Sequence, residues 1–195
     1  TSEMKQYTSG EMMRTRNFYL LLATMFFGLI SYFMVSPVSQ THQIDLGIPS
    51  AVAVSAVMLG SIVNAGARLV LPTLADKVGR IVCIKGVLIV AVIAMGVLAV
   101  SRSLAVTVAV VLMYGCYGGI MGSFPSLTSS IFGMKHTGEN YGFVMFGIVF
   151  ATFGAPAISG LVSSNGYELN AQVGIPAKLS DTGVTDEYFT QMTED

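Results

Sequence analysis

The sequence predicts an all-α membrane protein in which five helices cross the lipid bilayer. Two properties of its composition point to this class: 53% of the 195 residues are hydrophobic and only 11% are charged. A soluble domain carries about 25% charged residues. The third observation is the arrangement of the apolar residues, which form separate runs long enough to cross a bilayer.

These apolar runs define five predicted spans, since a helix needs about 20 apolar residues to cross lipid. They cover residues 17–36, 50–72, 83–100, 104–128 and 140–163. Each must be helical because a segment surrounded by lipid has to satisfy its own backbone hydrogen bonds. A β-barrel would instead show alternating strands of about 10 residues.

The segments outside the transmembrane bundle, residues 17–163, are polar. Residues 1–16 are predicted to be a cytoplasmic linker, and residues 37–49 a loop between the first two spans. Residues 164–195 contain no apolar run and predict a solvated tail. Because five spans is an odd number and the sequence does not begin with Met, we expect it to be part of a longer protein with a sixth helix after the tail. The alternative is a complete five-span protein.

The distribution of basic residues predicts the orientation. Seven lie at one end of the spans: Lys5, Arg14, Arg16, Lys77, Arg80, Lys85 and Lys135. Only Arg102 and Lys178 lie at the other end, and Arg68 falls inside a span. The positive-inside rule therefore predicts a cytoplasmic N-terminus and an extracytoplasmic tail. We expect the membrane to be the plasma (inner) membrane.

Small residues are concentrated in the fourth and fifth predicted spans. They are Gly115, Gly118, Gly119 and Gly122 followed by Pro125, and Gly142, Gly147, Gly154, Pro156 and Gly160. Helices in lipid pack through small residues, so we expect close contacts at these positions. Such helices also suit a protein that moves between two shapes.

Arg68 is the sharpest signal in the sequence, because a charge inside a span costs about 2.5–3.5 kcal/mol to insert. Ser61, Asn64 and Arg68 lie at positions i, i+3 and i+7, which places them on one face of the second span. Two interpretations remain open. In the first, Arg68 extends toward the membrane surface or pairs with a carboxylate elsewhere. In the second, it faces a water-filled cavity and binds an anion.

The predicted spans contain no Asp or Glu, which favours the anion interpretation because Arg68 then has no partner within the membrane. Tyr32, Tyr117 and Tyr141 are candidates to line the same cavity, although residues of this kind are more often packing or membrane-interface residues. Tyr114 and Asn140 are further candidates for the same cavity, whereas His42 and His136 lie in loops and are not expected to be ligands. Both cysteines lie in apolar runs and are interpreted as packing residues.

The segment "LPTLADKVGR" resembles the loop motif of the major facilitator superfamily, Gly-x-x-x-Asp-(Arg/Lys)-x-Gly-Arg-(Arg/Lys). Asp76, Lys77, Gly79 and Arg80 match, whereas Pro72 replaces the first glycine and Ile81 the last basic residue. In that family the motif joins the second and third helices of each six-helix half. The resemblance implies that these residues act as a gating latch between helices and do not bind substrate.

A closer resemblance links most of the chain to the oxalate/formate antiporter family, which also includes carriers of lactate and other monocarboxylates. It rests on "EMMRTRNFYLLLATMFFG", "NAGARLVLPTLADKVGR" and "YGGIMGSFPSLTSSIFGMKHTGENYGFVMFGIVFATFGAPAISG". The resemblance implies helices seven to eleven of a twelve-helix carrier, whose N-terminal six-helix half would be the partner of this chain.

The same resemblance implies a role for Arg68, which matches an arginine on the eighth helix that binds the dicarboxylate. The dicarboxylate carriers add a lysine on the eleventh helix, but this chain has no Lys or Arg between Asn140 and Ser163. We therefore expect a small monocarboxylate such as formate or lactate, moved by alternating access. The alternatives are a carrier for a sugar, nitrate or drug, and a truncated membrane fragment that does not transport.

Other classes of function find little support in the sequence. It shows no basic patch for nucleic acid and no nucleotide-binding loop, metal cluster or catalytic triad. We therefore expect neither enzymatic activity nor a cofactor, metal or nucleic-acid partner.

Overall fold

The computed structural model describes residues 5–173, with side chains as far as Leu161, and this part of the chain is almost entirely helical. The helices are α1 Ser9–Met13, α2 Arg16–Val35, α3 Ser39–Asp45, α4 Ser50–Val78, α5 Arg80–Val100, α6 Ala105–Phe132, α7 Thr137–Val144 and α8 Phe146–Val173. Five stretches are long and apolar enough to cross a membrane, which confirms the predicted class and number of spans. The packing described below concerns residues through Ala155, which form one compact unit.

Several helices run beyond the limits that hydropathy predicts. Helix α4 continues to Val78 instead of ending near residue 72, and residues 39–45 of the predicted loop form α3 after a short 3-10 turn. Helix α8 continues through residues 164–173 of the predicted tail, and residues 174–195 lie outside the described part of the chain. Hydropathy locates only the apolar stretch, whereas backbone hydrogen bonding continues into polar sequence at its ends.

The fifth predicted span is two helices, α7 and α8, that meet at Met145. The linker before the first span also contains a helix, α1, which begins with a capping box. Glu11 accepts hydrogen bonds from the backbone and side chain of Thr8 in this box. These bonds lower the pKa of Glu11 below its usual value because they stabilise the ionised carboxylate that caps α1.

Helix α6 lies at the centre of the packing and contacts α2, α4, α5 and α7. Its residues Val106, Val110, Met113, Ile120 and Phe124 are almost fully buried. By contrast, large apolar side chains on the outer faces of α4 and α5 are exposed, including Ile62, Leu69 and Val92. Extended apolar surface of this kind is typical of a face that meets lipid or another helical unit.

The N-terminal linker is fixed to the turn between α6 and α7. The backbone N–H of Tyr7 donates to the carbonyl of Phe132 over 2.9 Å, and the two rings pack edge to face. Asn140 is fully buried; its amide nitrogen donates to the Tyr7 carbonyl over 3.0 Å, and its oxygen accepts from Ser9. This contact accounts for Asn140, which the sequence suggested as a cavity-lining residue.

Replacing Asn140 with alanine is expected to lower the free energy of unfolding by about 1–3 kcal/mol, because it leaves buried hydrogen-bonding groups without a partner. The thermal unfolding midpoint of the purified protein in detergent measures this loss. Gln40→Ala is the matched control, since Gln40 is an exposed amide, and it should leave the midpoint nearly unchanged. Equal midpoints for the two variants would contradict the anchoring role of Asn140.

Candidate substrate-binding site

A row of glycines on α6 brings the backbone of α4 unusually close. A Cβ atom added at Gly122 would lie 2.6 Å from the backbone oxygen of Arg68, and one added at Gly118 would collide with the backbone oxygen of Asn64. Neither obstacle is a flexible side chain. The close helix contact predicted for this glycine-rich span is therefore confirmed, and it holds the part of α4 that carries Asn64 and Arg68.

Arg68 and Asn64 form one polar unit on α4. The Nε atom of Arg68 donates a hydrogen bond to the Oδ1 atom of Asn64 over 3.2 Å. This bond joins residues one helical turn apart and uses Nε, so it leaves the two terminal guanidinium nitrogens free of Asn64. The Arg68 side chain is exposed at the surface of the described unit.

Three tyrosines form the aromatic side of the site. Tyr32 of α2 and Tyr117 of α6 stack with ring centroids 4.2 Å apart and an interplanar angle of 18°. Tyr114 packs edge to face on Tyr32, and its hydroxyl shares a hydrogen bond with Ser36. The Cζ atom of Arg68 lies 5.7 Å from the centroid of the Tyr117 ring, within the range of a cation–π contact.

The remaining two of the six residues predicted for the site are Tyr141 and Ser61. Tyr141 of α7 lies within electrostatic reach of both Arg68 and Tyr117. Ser61 instead donates its hydroxyl to the carbonyl of Val57 in its own helix, over 2.9 Å. Direct contacts join Asn64, Arg68, Tyr117 and Tyr32, whereas Ser61 lies on the same face of α4 as Asn64 and Arg68 and bonds within its own helix.

Arg68 forms no ion pair with any carboxylate in the described part of the chain. Because the spanning stretches are longer than the predicted spans, Asp45, Asp76 and Glu139 do lie in them, although close to their ends. Asp76 is about 12 Å from Arg68 along α4, at about 1.5 Å per residue, and Glu139 lies near Ser9 and His136. A guanidinium with its terminal donors unpaired, beside polarisable rings, is suited to binding a carboxylate.

The motif around Asp76 lies at a sharp junction between two helices, as expected for the short loop of the family motif. Gly79 is the one residue between α4 and α5, and its φ of 105° is a conformation that favours glycine. Arg80 pairs with Asp76 over 3.1 Å and donates to the carbonyl of Ser126 on α6 over 2.9 Å. Lys77 is exposed in the last turn of α4, where a positive charge offsets the helix dipole. The junction thus ties α4 and α5 to α6.

Sequence reasoning missed two features of the site. It did not identify Ser36, which hydrogen-bonds to the Tyr114 hydroxyl, or the role of Gly118 and Gly122 in supporting the backbone of Asn64 and Arg68. The spacing of the glycines signals a helix contact but does not identify the helix on the other side.

Five helices that are long and apolar enough to cross a membrane, with a glycine-lined contact between two of them, define an integral membrane protein of the helical-bundle class. The profile of the Major Facilitator Superfamily matches residues 4–159. The chain belongs to this superfamily.

Two curated proteins are similar to the chain. It is 32% identical over 146 residues to an uncharacterised MFS-type transporter, YhjX, of Escherichia coli K12, which covers 73% of the chain and 36% of that protein. It is 28% identical over 142 residues to the oxalate:formate antiporter of Oxalobacter formigenes, which covers 71% of the chain and 34% of that protein. The chain therefore spans about a third of the length of these relatives.

Proposed function

We propose that the chain is the C-terminal part of a secondary carrier for a small organic anion, in which Arg68 binds the anionic group. One observation carries this proposal: a guanidinium inside a membrane span has no carboxylate partner among residues 5–161 and is exposed at the surface of the described unit. A bound anion would offset the cost of that charge. The similarity to an oxalate:formate antiporter supports an anion as the cargo.

A monocarboxylate such as formate or lactate fits the site better than oxalate. Two fixed positive charges would best offset a dianion, but the contacts of Arg68 are with the amide of Asn64 and the ring of Tyr117. Helices α7 and α8 contribute no Lys or Arg from Asn140 to Ser163. With one guanidinium, a single carboxylate can take both hydrogen bonds of the planar fork.

Transport would occur by alternating access between this unit and an N-terminal six-helix half of the same carrier. The exposed Arg68 side chain and the outer face of α4 would then line the cavity between the two halves, near the middle of the membrane. The Asp76–Arg80 junction would act as the latch at the closing end. The excess of basic residues at that end supports a cytoplasmic location for it and for the N-terminus, in the plasma or bacterial inner membrane.

The proposed reaction is movement of an anion across the membrane and not a chemical conversion, so the chain is proposed not to be an enzyme.

A competition panel tests the cargo class. Full-length carrier in proteoliposomes takes up labelled formate while unlabelled lactate, acetate, oxalate, nitrate or glucose is added outside. Monocarboxylates are expected to compete at about tenfold lower concentrations than oxalate, which corresponds to about 1.4 kcal/mol. Glucose should have no effect. Stronger competition by oxalate would contradict the single-charge argument, and competition by glucose but by no carboxylate would contradict the anion proposal.

A further inference from the structure

A second groove lies between α2, α5 and α6, at the end where α4 meets α5. Its cavity measures about 410 Å³. The walls are mainly apolar, formed by residues such as Leu20, Leu88 and Leu127, and the polar residues at the groove are Asn17, Thr24 and Lys85. Arg68 and the tyrosines of the candidate substrate site are not among the residues that line it, so this is a separate surface.

Lys85 is the unusual residue of this groove. It lies five residues after the start of α5, so it is about 7.5 Å into the helix at 1.5 Å per residue. Its side chain is exposed and forms no ion pair within the described part of the chain. Nearby Arg80, by contrast, is already held by Asp76 and by the carbonyl of Ser126.

The other two polar residues of the groove differ in what they can offer a ligand. The Thr24 hydroxyl donates to the carbonyl of Leu20 in its own helix over 2.7 Å, so its proton is already used. Asn17 lies in the first turn of α2 and is exposed, which leaves its amide able to donate. An ammonium and an amide donor at the end of an apolar groove form a site for a molecule with a long apolar part and an anionic head.

We propose that this groove binds an anionic phospholipid from the adjacent leaflet. Its acyl chains would lie along Leu20, Leu88 and Leu127, and its phosphate would accept hydrogen bonds from Lys85 and Asn17. Basic pockets between transmembrane helices are known to suit anionic headgroups. A further protein helix fits less well, because packing against the groove would bury the Lys85 ammonium without a carboxylate partner.

The test measures lipid binding to the full-length, delipidated protein by native mass spectrometry. Phosphatidylglycerol is titrated against the zwitterionic phosphatidylethanolamine. Lys85→Gln is expected to weaken phosphatidylglycerol binding about fivefold, because one basic residue near the membrane surface contributes an effect of this size. Phosphatidylethanolamine binding should change little. Lys135→Gln is the matched control, since it removes the same charge from an exposed turn outside the groove.

A second variant tests the apolar part of the site without changing charge. Leu20→Trp places a larger side chain at the groove wall, and Leu20 is 53% exposed, so the bundle can accommodate it. Binding of both lipids should fall at least threefold while the elution volume in size-exclusion chromatography stays unchanged.

Three results would overturn the proposal. The first is an equal loss of phosphatidylglycerol binding in Lys85→Gln and Lys135→Gln, which would indicate general charge attraction. The second is competition by soluble glycerol phosphate or inorganic phosphate at the concentration of the lipid, which would indicate a phosphate site. The third is unchanged lipid binding in Leu20→Trp. None of these readouts depends on transport, so the result is independent of the proposed function.

Discussion

Replacing Arg68 with alanine in the full-length carrier is expected to lower carboxylate uptake by about 30-fold to several thousandfold. With an anion bound between the two halves of the proposed carrier, Arg68 would be one partner of a buried charge pair. Truncating one partner of such a pair costs about 2–5 kcal/mol, and each 1.4 kcal/mol is a factor of ten. The initial rate of labelled formate uptake into proteoliposomes, measured across a range of formate concentrations, gives this loss as a change in kcat/KM.

Arg68→Lys separates charge from geometry. It keeps the positive charge but loses the planar fork, the hydrogen bond from Nε to Asn64 and the stacking on Tyr117. We expect its uptake to lie between those of the wild type and Arg68→Ala. Arg102→Ala is the matched control, because Arg102 is an exposed arginine between α5 and α6, and it should transport at the wild-type rate. Unchanged kcat/KM in Arg68→Ala would remove Arg68 from the substrate site.

Alanine at Gly118 or Gly122 is expected to destabilise the protein, even though alanine is the better helix former. Each new methyl group would press on the backbone of α4 at Asn64 or Arg68, and that backbone cannot rotate away. Overpacking of this kind costs about 1–3 kcal/mol. The thermal unfolding midpoint in detergent should fall in both variants, and formate uptake should fall further than stability alone explains, because the arginine moves with its helix.

Gly96→Ala is the matched control, and it is not expected to lower the thermal unfolding midpoint. A Cβ atom at Gly96 of α5 would meet nothing within 4 Å. Alanine is favoured over glycine in a helix by about 1 kcal/mol, so the midpoint should rise or stay the same. If Gly118→Ala, Gly122→Ala and Gly96→Ala all raise the midpoint, the close contact between α4 and α6 does not control stability.

The existence and order of the spanning helices could be predicted because lipid imposes a simple rule on composition and on backbone hydrogen bonding. The turn at Gly79 was also predictable from the residue type. The end of α4 was not, since Asp76 and Lys77 are polar and yet continue the helix to Val78. Hydropathy measures the transfer of residues into lipid, so it does not locate the end of a helix that extends beyond the lipid.

The candidate site was predictable in part for a similar reason. The placement of Asn64 and Arg68 on one helix face follows from helical periodicity alone. The stacking of Tyr32 on Tyr117 joins residues of two helices that are 85 positions apart, and no local pattern marks that pairing. The burial of Asn140 against Tyr7 is likewise non-local, so the sequence could not distinguish an anchoring amide from a cavity-lining one.

The one-residue connection at Gly79 has a mechanical consequence. A single residue spans at most about 3.5 Å, so the end of α4 and the start of α5 have almost no slack between them. The Arg80 side chain adds a hydrogen bond to the neighbouring α6. A tilt of α4, α5 or α6 is therefore transmitted to the other two helices. The three helices would move as one rigid body, and Arg68 would move with α4.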